Sequence, residues 1–92
     1  MTATITRTLK IVNEKGLHAR ASAKLVEVVE AHDATATISK DGLDTSGDSI
    51  MGLLMLAASI GSLIEVQTDG ADAERLADAL EALVADKFGE EM

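Results

Sequence analysis

The N-terminal part of the chain changes from an alternating to a helical hydrophobic period. Apolar and polar residues alternate from Ile5 to Val12, which predicts a strand whose apolar row is broken by Arg7. The polar segment 13–16 is typical of a loop. From Ala19 to about Ala31 the spacing is helical, and the face predicted to be buried contains Ser22, Leu25, Val26 and Val29.

The middle of the chain predicts a β-hairpin followed by a short apolar helix. Ala34–Lys40 is typical of a strand, and Asp41-Gly42 favours a hairpin turn into a second strand near Leu43–Thr45. Ser49 is well placed to cap a helix from Ile50 to about Ala58. The side of that helix predicted to pack on the sheet consists of Ile50, Leu53, Leu54 and Ala57.

The C-terminal part alternates again and then ends in an amphipathic helix. Ser62–Thr68 predicts a strand with Ile64 and Val66 inward, and Asp72 is placed to cap the helix that follows. The apolar positions of that helix are Ala73, Leu76, Ala77, Leu80, Leu83 and Val84. The order β-α-β-β-α-β-α predicts the α+β class, with an antiparallel sheet and its helices on one face.

Composition narrows the function classes. The chain of 92 residues fits one domain spanning 1–92, and its only aromatic residue, Phe88, disfavours stacking on bases or sugars. The absence of cysteine excludes disulfides and thiolate metal sites, and a net charge of −8 disfavours nucleic acid. No leader pattern is present, and the longest uninterrupted apolar run, Leu53–Ala58, is too short to span a membrane. We therefore expect a cytoplasmic protein with no membrane partner.

His18 lies in the only strongly cationic stretch of the chain. Residues 1–24 contain five basic residues and one acidic residue, whereas residues 25–92 contain three basic and fifteen acidic residues. This stretch is either a fluctuation in a solvated surface or a local site for an anion on an acidic protein.

The position of His18 at a predicted helix start suggests phosphoryl chemistry. A helix start offers unpaired backbone N–H groups, and Arg20 adds a guanidinium suited to phosphate. Neutral imidazole is a nucleophile, and the phosphoramidate that it forms is labile enough to be passed on. The spacing also fits a plainer interpretation, in which His18 is an ordinary helix-start residue and Arg20 a solvated charge. The other histidine, His32, lacks companion ligands, so we expect no metal and no cofactor.

The helix after Ser49 is apolar on nearly all sides. Met51 and Met55, one turn apart, either form an adaptable docking surface or fill gaps in a core that lacks aromatics. Ser49 is most simply a helix cap. A phosphate on it would add negative charge at the edge of this surface.

Two segments of the chain together resemble a known family. The run Asn13-Glu14-Lys15-Gly16-Leu17-His18-Ala19-Arg20, followed later by Ser49-Ile50-Met51-Gly52-Leu53, is similar to HPr, the histidine-containing phosphocarrier family of the phosphoenolpyruvate-dependent phosphotransferase system. Further similarity comes from Gly61, 70–73 and 88–90, so that the resemblance covers nearly the whole chain.

The resemblance implies an HPr-like open-faced sandwich, with a four-stranded antiparallel sheet in the order 1-4-2-3 and three helices on one face. It implies that His18 accepts a phosphoryl group through Nδ1, the pros nitrogen, from phosphorylated Enzyme I, and donates it to a type II A component. Arg20 would contact the phosphoryl group, and Ser49 would be the regulatory site of an HPr kinase/phosphorylase. The docking surface would contain Met51, Gly52, Leu54 and Met55, on a monomer.

Some features depart from the family pattern or leave alternatives open. Ala21 stands where a proline usually follows the arginine, and Asp48 stands where a lysine often precedes the serine, which weakens the regulatory expectation.

The segments 18–22 and 54–59 resemble alphaproteobacterial members, so both sugar uptake and nitrogen or carbon regulation remain open. The resemblance implies a component that carries a phosphohistidine intermediate rather than a free-standing enzyme, so the sequence leaves the question of enzyme activity open. The alternative function is a protein-interaction or ligand-sensing regulatory domain.

Overall fold

The computed structural model describes residues 3–92, and its elements follow the predicted order. A short 3-10 turn over Lys87–Gly89, which the apolar pattern did not predict, comes after the last helix. The regular elements are β1 (Ala3–Lys10), α1 (Ala19–Glu30), β2 (Thr35–Lys40), β3 (Leu43–Ser46), α2 (Ile50–Met55), β4 (Leu63–Gly70) and α3 (Ala73–Ala85).

The strands form one four-stranded antiparallel sheet in the order β1-β4-β2-β3. β1 pairs with β4 from Ala3 opposite Gly70 to Lys10 opposite Leu63. β2 pairs with β4 on the other side and forms a hairpin with β3. The turn residues Asp41 and Gly42 have φ values of 52° and 82°, the positive values that match the twist of hairpin strands. The predicted class and the strand order implied by the resemblance are confirmed.

Helices cover one face of the sheet, and the other face is open to solvent. The inward side chains of Ile38, Ile64 and Val66 are buried, whereas the outward side chains of Glu65 and Gln67 are exposed. All four residues of the predicted inner face of α1 are buried, and so are the predicted apolar positions of α3 except the half-buried Leu83. In the described residues, 3–92, no helix is long and apolar enough to cross a membrane.

Arg7 lies in the inward row of β1 without entering the core. Its guanidinium reaches across to α3, where it contacts the carboxylates of Asp78 at 2.5 Å and Glu81 at 3.3 Å. The aliphatic stem can therefore cover apolar surface while the charge remains near solvent. This is how a strand with a charged residue in its apolar row still packs beneath a helix.

Two predictions about helix ends were wrong. α2 ends at Met55 because Ala57 has a left-handed φ of 51°, which a right-handed helix cannot continue. Ile50 and Ala57, which were expected to face the sheet, are exposed, while Leu53 is fully buried. Asp72 does not cap α3 with its side chain; its carboxylate instead accepts the backbone N–H of Asp33 at 2.8 Å.

Candidate functional site at the start of the first helix

His18 occupies the cap position of α1, but its side chain makes no capping hydrogen bond. Its backbone is extended, with φ −78° and ψ −177°, and its carbonyl oxygen accepts the N–H of Ser22 at 2.8 Å. The ring is therefore free for other contacts, and 29 % of the side chain remains exposed. A partly exposed imidazole at a helix start can meet both its own protein and a docking partner.

Gly16 brings the loop before α1 against the loop between α2 and β4. Its φ is 66°, and a Cβ at this position would lie 2.5 Å from the carbonyl oxygen of Ala58. The N–H of Leu17 donates to that same oxygen at 2.8 Å. The joined loops form a shallow cleft of about 180 Å³ beside the ring, lined by Lys15, Leu17, His18, Ala57, Ala58 and Ser59.

The C-terminal segment reaches the same place and sets a carboxylate against the ring. Phe88 is fully buried, and its carbonyl oxygen accepts a hydrogen bond from Lys24 Nζ at 2.6 Å. Further along, the carbonyl oxygen of Met92 accepts the N–H of Glu14 at 3.0 Å. Between these two anchors, Glu90 Oε2 hydrogen-bonds Nε2 of His18.

Asn13 binds the other oxygen of Glu90. Its Nδ2 donates to Glu90 Oε1 at 2.9 Å and to the carbonyl oxygen of Gly16 at 2.8 Å. The hydrogen bond from His18, and after it that from Asn13, lower the pKa of Glu90 below its usual value. An ionised carboxylate only accepts hydrogen bonds, so Nε2 of His18 carries the proton. The neutral ring then keeps its lone pair on Nδ1.

Arg20, the second residue of the sequence-predicted site, lies in the first turn of α1 and is exposed. Among residues 3–92 no hydrogen bond or ion pair is formed by Arg20, and it does not line the cleft beside His18. His32 lies just beyond the other end of α1, where its Nδ1 donates to the carbonyl oxygen of Val28 at 2.7 Å. Within the described part of the chain no cluster of His, Asp and Glu suits a metal ion.

Ser49 caps α2 as predicted, because its Oγ accepts the N–H of Gly52 at 3.0 Å. The carboxylate of the neighbouring Asp48 accepts the hydroxyl of Ser46 at 2.6 Å. The residues predicted to dock partners lie on α2: Met51 and Met55 are each 70 % exposed, while Gly52 and Leu54 are half-buried.

The family is decided by the sequence match. The family model for the PTS HPr component phosphorylation site matches residues 5–86. The chain belongs to the HPr family. It is 46 % identical over 84 residues to phosphocarrier protein HPr of Cupriavidus necator, which covers 91 % of this chain and 94 % of that protein. Phosphocarrier protein NPr of Shewanella violacea is 42 % identical over 84 residues, covering 91 % and 92 %.

Solved HPr structures share the fold as well. HPr from Thermoanaerobacter tengcongensis superposes with a TM-score of 0.91 at 34 % identity, covering 96 % of this chain and 99 % of that one. Membership of the HPr family supports a phosphocarrier role in the phosphotransferase system.

Sequence reasoning missed two residues of this site, Asn13 and Glu90. Both lie in segments that resemble HPr, but their side chains meet across 77 positions of the chain. No local spacing indicates such a contact. The one available signal was Asn13 itself, a polar amide directly after an apolar strand. That signal becomes informative only once the burial of the side chain is known.

Proposed function

We propose that this HPr-family chain carries a phosphoryl group on Nδ1 of His18, taken from phosphorylated Enzyme I and passed to a type II A component. The observation that carries the proposal is the contact between Glu90 and Nε2. Because that contact occupies one ring nitrogen as a donor, the other nitrogen holds the lone pair. Nδ1 is therefore the nucleophile.

The surroundings of His18 suit the reaction. The lone pair of Nδ1 forms the new bond to phosphorus while the bond between phosphorus and the donor breaks, and the proton on Nε2 remains hydrogen-bonded to Glu90. Backbone N–H groups at the start of α1 and the guanidinium of Arg20 offer donors to the phosphoryl oxygens. Arg20 is exposed, so it is accessible to an incoming phosphoryl group.

Docking is assigned to the exposed apolar side of α2, with Met51 and Met55 as adaptable contacts and Gly52 and Leu54 beside them. Ser49 is the proposed site for an HPr kinase/phosphorylase. The carboxylate of Asp48 adjoins it, and like charge would disfavour a second anion there. The carrier is proposed to act in the cytoplasm as a monomer, and the identity of the acceptor distinguishes sugar uptake from nitrogen or carbon regulation.

The test is phosphorylation of the pure protein by Enzyme I, phosphoenolpyruvate and Mg²⁺, followed by intact mass measurement. We expect one acid-labile phosphoryl group on the wild type and on His32→Ala, and none on His18→Ala. Folding of the His18→Ala variant is checked by its thermal transition. If the wild type stays unmodified beside an Enzyme I that modifies another HPr, the carrier proposal is wrong and an interaction or ligand-sensing role replaces it.

A further inference from the structure

Asn13 is fully buried although its side chain is an amide. Both groups that face its Nδ2, a carbonyl and a carboxylate, are acceptors, so the orientation of the amide is determined by its neighbours. Its Oδ1 is buried and has no hydrogen-bond partner within residues 3–92. A buried acceptor without a partner lowers stability. Asn13 thus makes its two donor contacts although its third polar group, the Oδ1 acceptor, is left without a partner among the described residues.

These donor contacts join the backbone and side-chain groups that determine the placement of His18. One of them holds the carbonyl oxygen of Gly16, two residues before His18, and so fixes the loop that presents the ring. The other holds Glu90, whose second oxygen contacts the ring itself. The side chain of Asn13 therefore ties the backbone of the site to the carboxylate of the site.

We propose that Asn13 is a positioning residue, which holds the Glu90 carboxylate on Nε2 of His18 and so keeps Nδ1 free and reactive towards a phosphoryl donor. The inference rests on the proposed function and deepens it. Asn13 acts through Glu90, and Glu90 acts through the ring.

The chemical reason is the charge that develops during transfer. As the lone pair of Nδ1 forms a bond to phosphorus, the ring becomes cationic, and a carboxylate hydrogen-bonded to the opposite N–H stabilises it. The donor departs with the electron pair of the bond that breaks. When the phosphoryl group is passed on, the pair of the N–P bond returns to Nδ1 and the proton on Nε2 stays in place throughout.

The charged groups around Glu90 come from three parts of the chain. Lys15, in the loop before α1, adds to the lowering of the pKa of Glu90, after the larger contributions of the hydrogen bonds. Glu14 and Glu91 line a groove together with Lys15 and Glu90, and α1 contributes Lys24, which binds the Phe88 carbonyl oxygen. The residues of the α2–β4 loop that line the cleft, 57–59, carry no titratable group. The lowered pKa keeps Glu90 ionised at neutral pH, so the group that Asn13 holds is a carboxylate.

The test is a double-mutant cycle built from Asn13→Asp, Glu90→Gln and the combined variant. Asn13→Asp replaces the donating amide by a carboxylate, which cannot donate to the carbonyl oxygen of Gly16 or to Glu90. Glu90→Gln leaves one acceptor oxygen in place of two, so the side chain can no longer accept from both Asn13 and His18. Glu91→Gln is the matched control, since it removes the same charge one residue away. Phosphoramidate serves as a small phosphoryl donor, so that the rate of His18 modification does not depend on docking.

We expect Asn13→Asp and Glu90→Gln each to slow modification about tenfold, as expected for loss of a charge-assisted hydrogen bond. In the Glu90→Gln background, Asn13→Asp should slow modification by much less than its factor in the wild type, because only the contact with the Gly16 carbonyl oxygen is left for Asn13 to lose. Glu91→Gln should react at the wild-type rate. Independent, multiplying effects of the two substitutions, or an unchanged rate in Asn13→Asp, would overturn the inference.

A second readout covers the case in which Asn13→Asp unfolds. The ¹⁵N shifts of the His18 ring in folded Asn13→Ala should report a larger share of the Nδ1–H form than in the wild type, and identical shifts in the two proteins would contradict the inference. A failure of the proposed function can be told apart from a failure of this inference. If the chain is not a phosphocarrier, Enzyme I will not modify the wild type, while the ring shifts will still report whether Asn13 positions His18.

Discussion

The starts of α1 and α2 place similar demands on the backbone and meet them differently. Ser49 and His18 both hold an extended conformation directly before a helix. Ser49 uses its side chain to bind an N–H of the helix, whereas His18 leaves those groups unbound and directs its ring to Glu90. N–H groups that the cap side chain does not bind, beside a partly exposed imidazole, are what the proposed phosphoryl acceptor requires.

The two helices can differ in this way because their stabilities have different sources. α1 has 12 residues and buries an apolar face, so it does not depend on a cap. α2 has 6 residues and one buried side chain, that of Leu53, so it depends on Ser49 and on close packing against β3. A residue at a cap position is therefore available for chemistry when the helix is stabilised elsewhere.

The largest expected effect tests the close packing of α2. A Cβ at Gly52 would lie 1.8 Å from Oγ1 and 2.9 Å from Cβ of Thr45, so Gly52→Ala must shift Thr45 or displace the helix. We expect a loss of about 3 kcal/mol in the free energy of unfolding, measured in urea. Adding Thr45→Ala should restore part of it, because Oγ1 is the nearest atom. Wild-type stability in Gly52→Ala would contradict the described packing of α2 on β3.

Removal of the cap is expected to have the next largest effect. Ser49→Ala leaves the N–H of Gly52 without its acceptor and should lower the free energy of unfolding by about 1 kcal/mol. Ser49→Thr keeps the oxygen and should remain near wild type. Both variants should still accept a phosphoryl group on His18. Equal stability of the Ala and Thr variants would show that the cap contributes nothing.

Acid is expected to loosen the His18 end of the molecule before the Ser49 end. The pKa of Glu90 lies below its usual 4.5, so its contacts contribute stability that is complete above that value and is lost as pH falls through the folded-state pKa. The Glu14 amide donates to the Met92 carbonyl oxygen, and its protection against hydrogen exchange should then fall in acid more than that of the Gly52 amide. Glu90→Gln should remove the difference in pH dependence. If the wild type and this variant showed the same profile, Glu90 would not anchor the segment.

The smallest effect concerns the residue that ends α2. Ala57 has a φ of 51°, which is unfavourable for a residue with a Cβ, so Ala57→Gly should raise the free energy of unfolding by up to about 1 kcal/mol. Ala23→Gly, inside α1, should instead lower it by about 1 kcal/mol. A loss in both variants would show that Ala57 is not strained.

Elements whose signals are local were predictable from the sequence. The Asp41-Gly42 turn requires positive φ at both positions, and the two residues that favour this conformation are present. The spacing of the apolar residues in α1 identified its buried face because a helix of that length repeats its pattern several times. The Ser49 cap needed only a serine before an apolar run.

Features that depend on distant partners were not predictable. Asp72 has the residue type of a cap, but the nearby N–H of Asp33 binds its carboxylate instead. The apolar pattern continues past Met55 because Leu56 and Ala58 are buried, although both lie in the loop after α2. Hydrophobic periodicity alone cannot distinguish such buried loop residues from residues of a helix. The pairing of Asn13 with Glu90 depends on how the last turn of the chain folds back over His18.

The central claim is that one nitrogen of one histidine carries the phosphoryl group, and ¹⁵N–³¹P NMR of the phosphorylated protein tests it most directly. The account predicts phosphorus on Nδ1 of His18, with Nε2 protonated beside Glu90 and with His32 unmodified. Phosphorus on Nε2 of His18, or on His32, would contradict it.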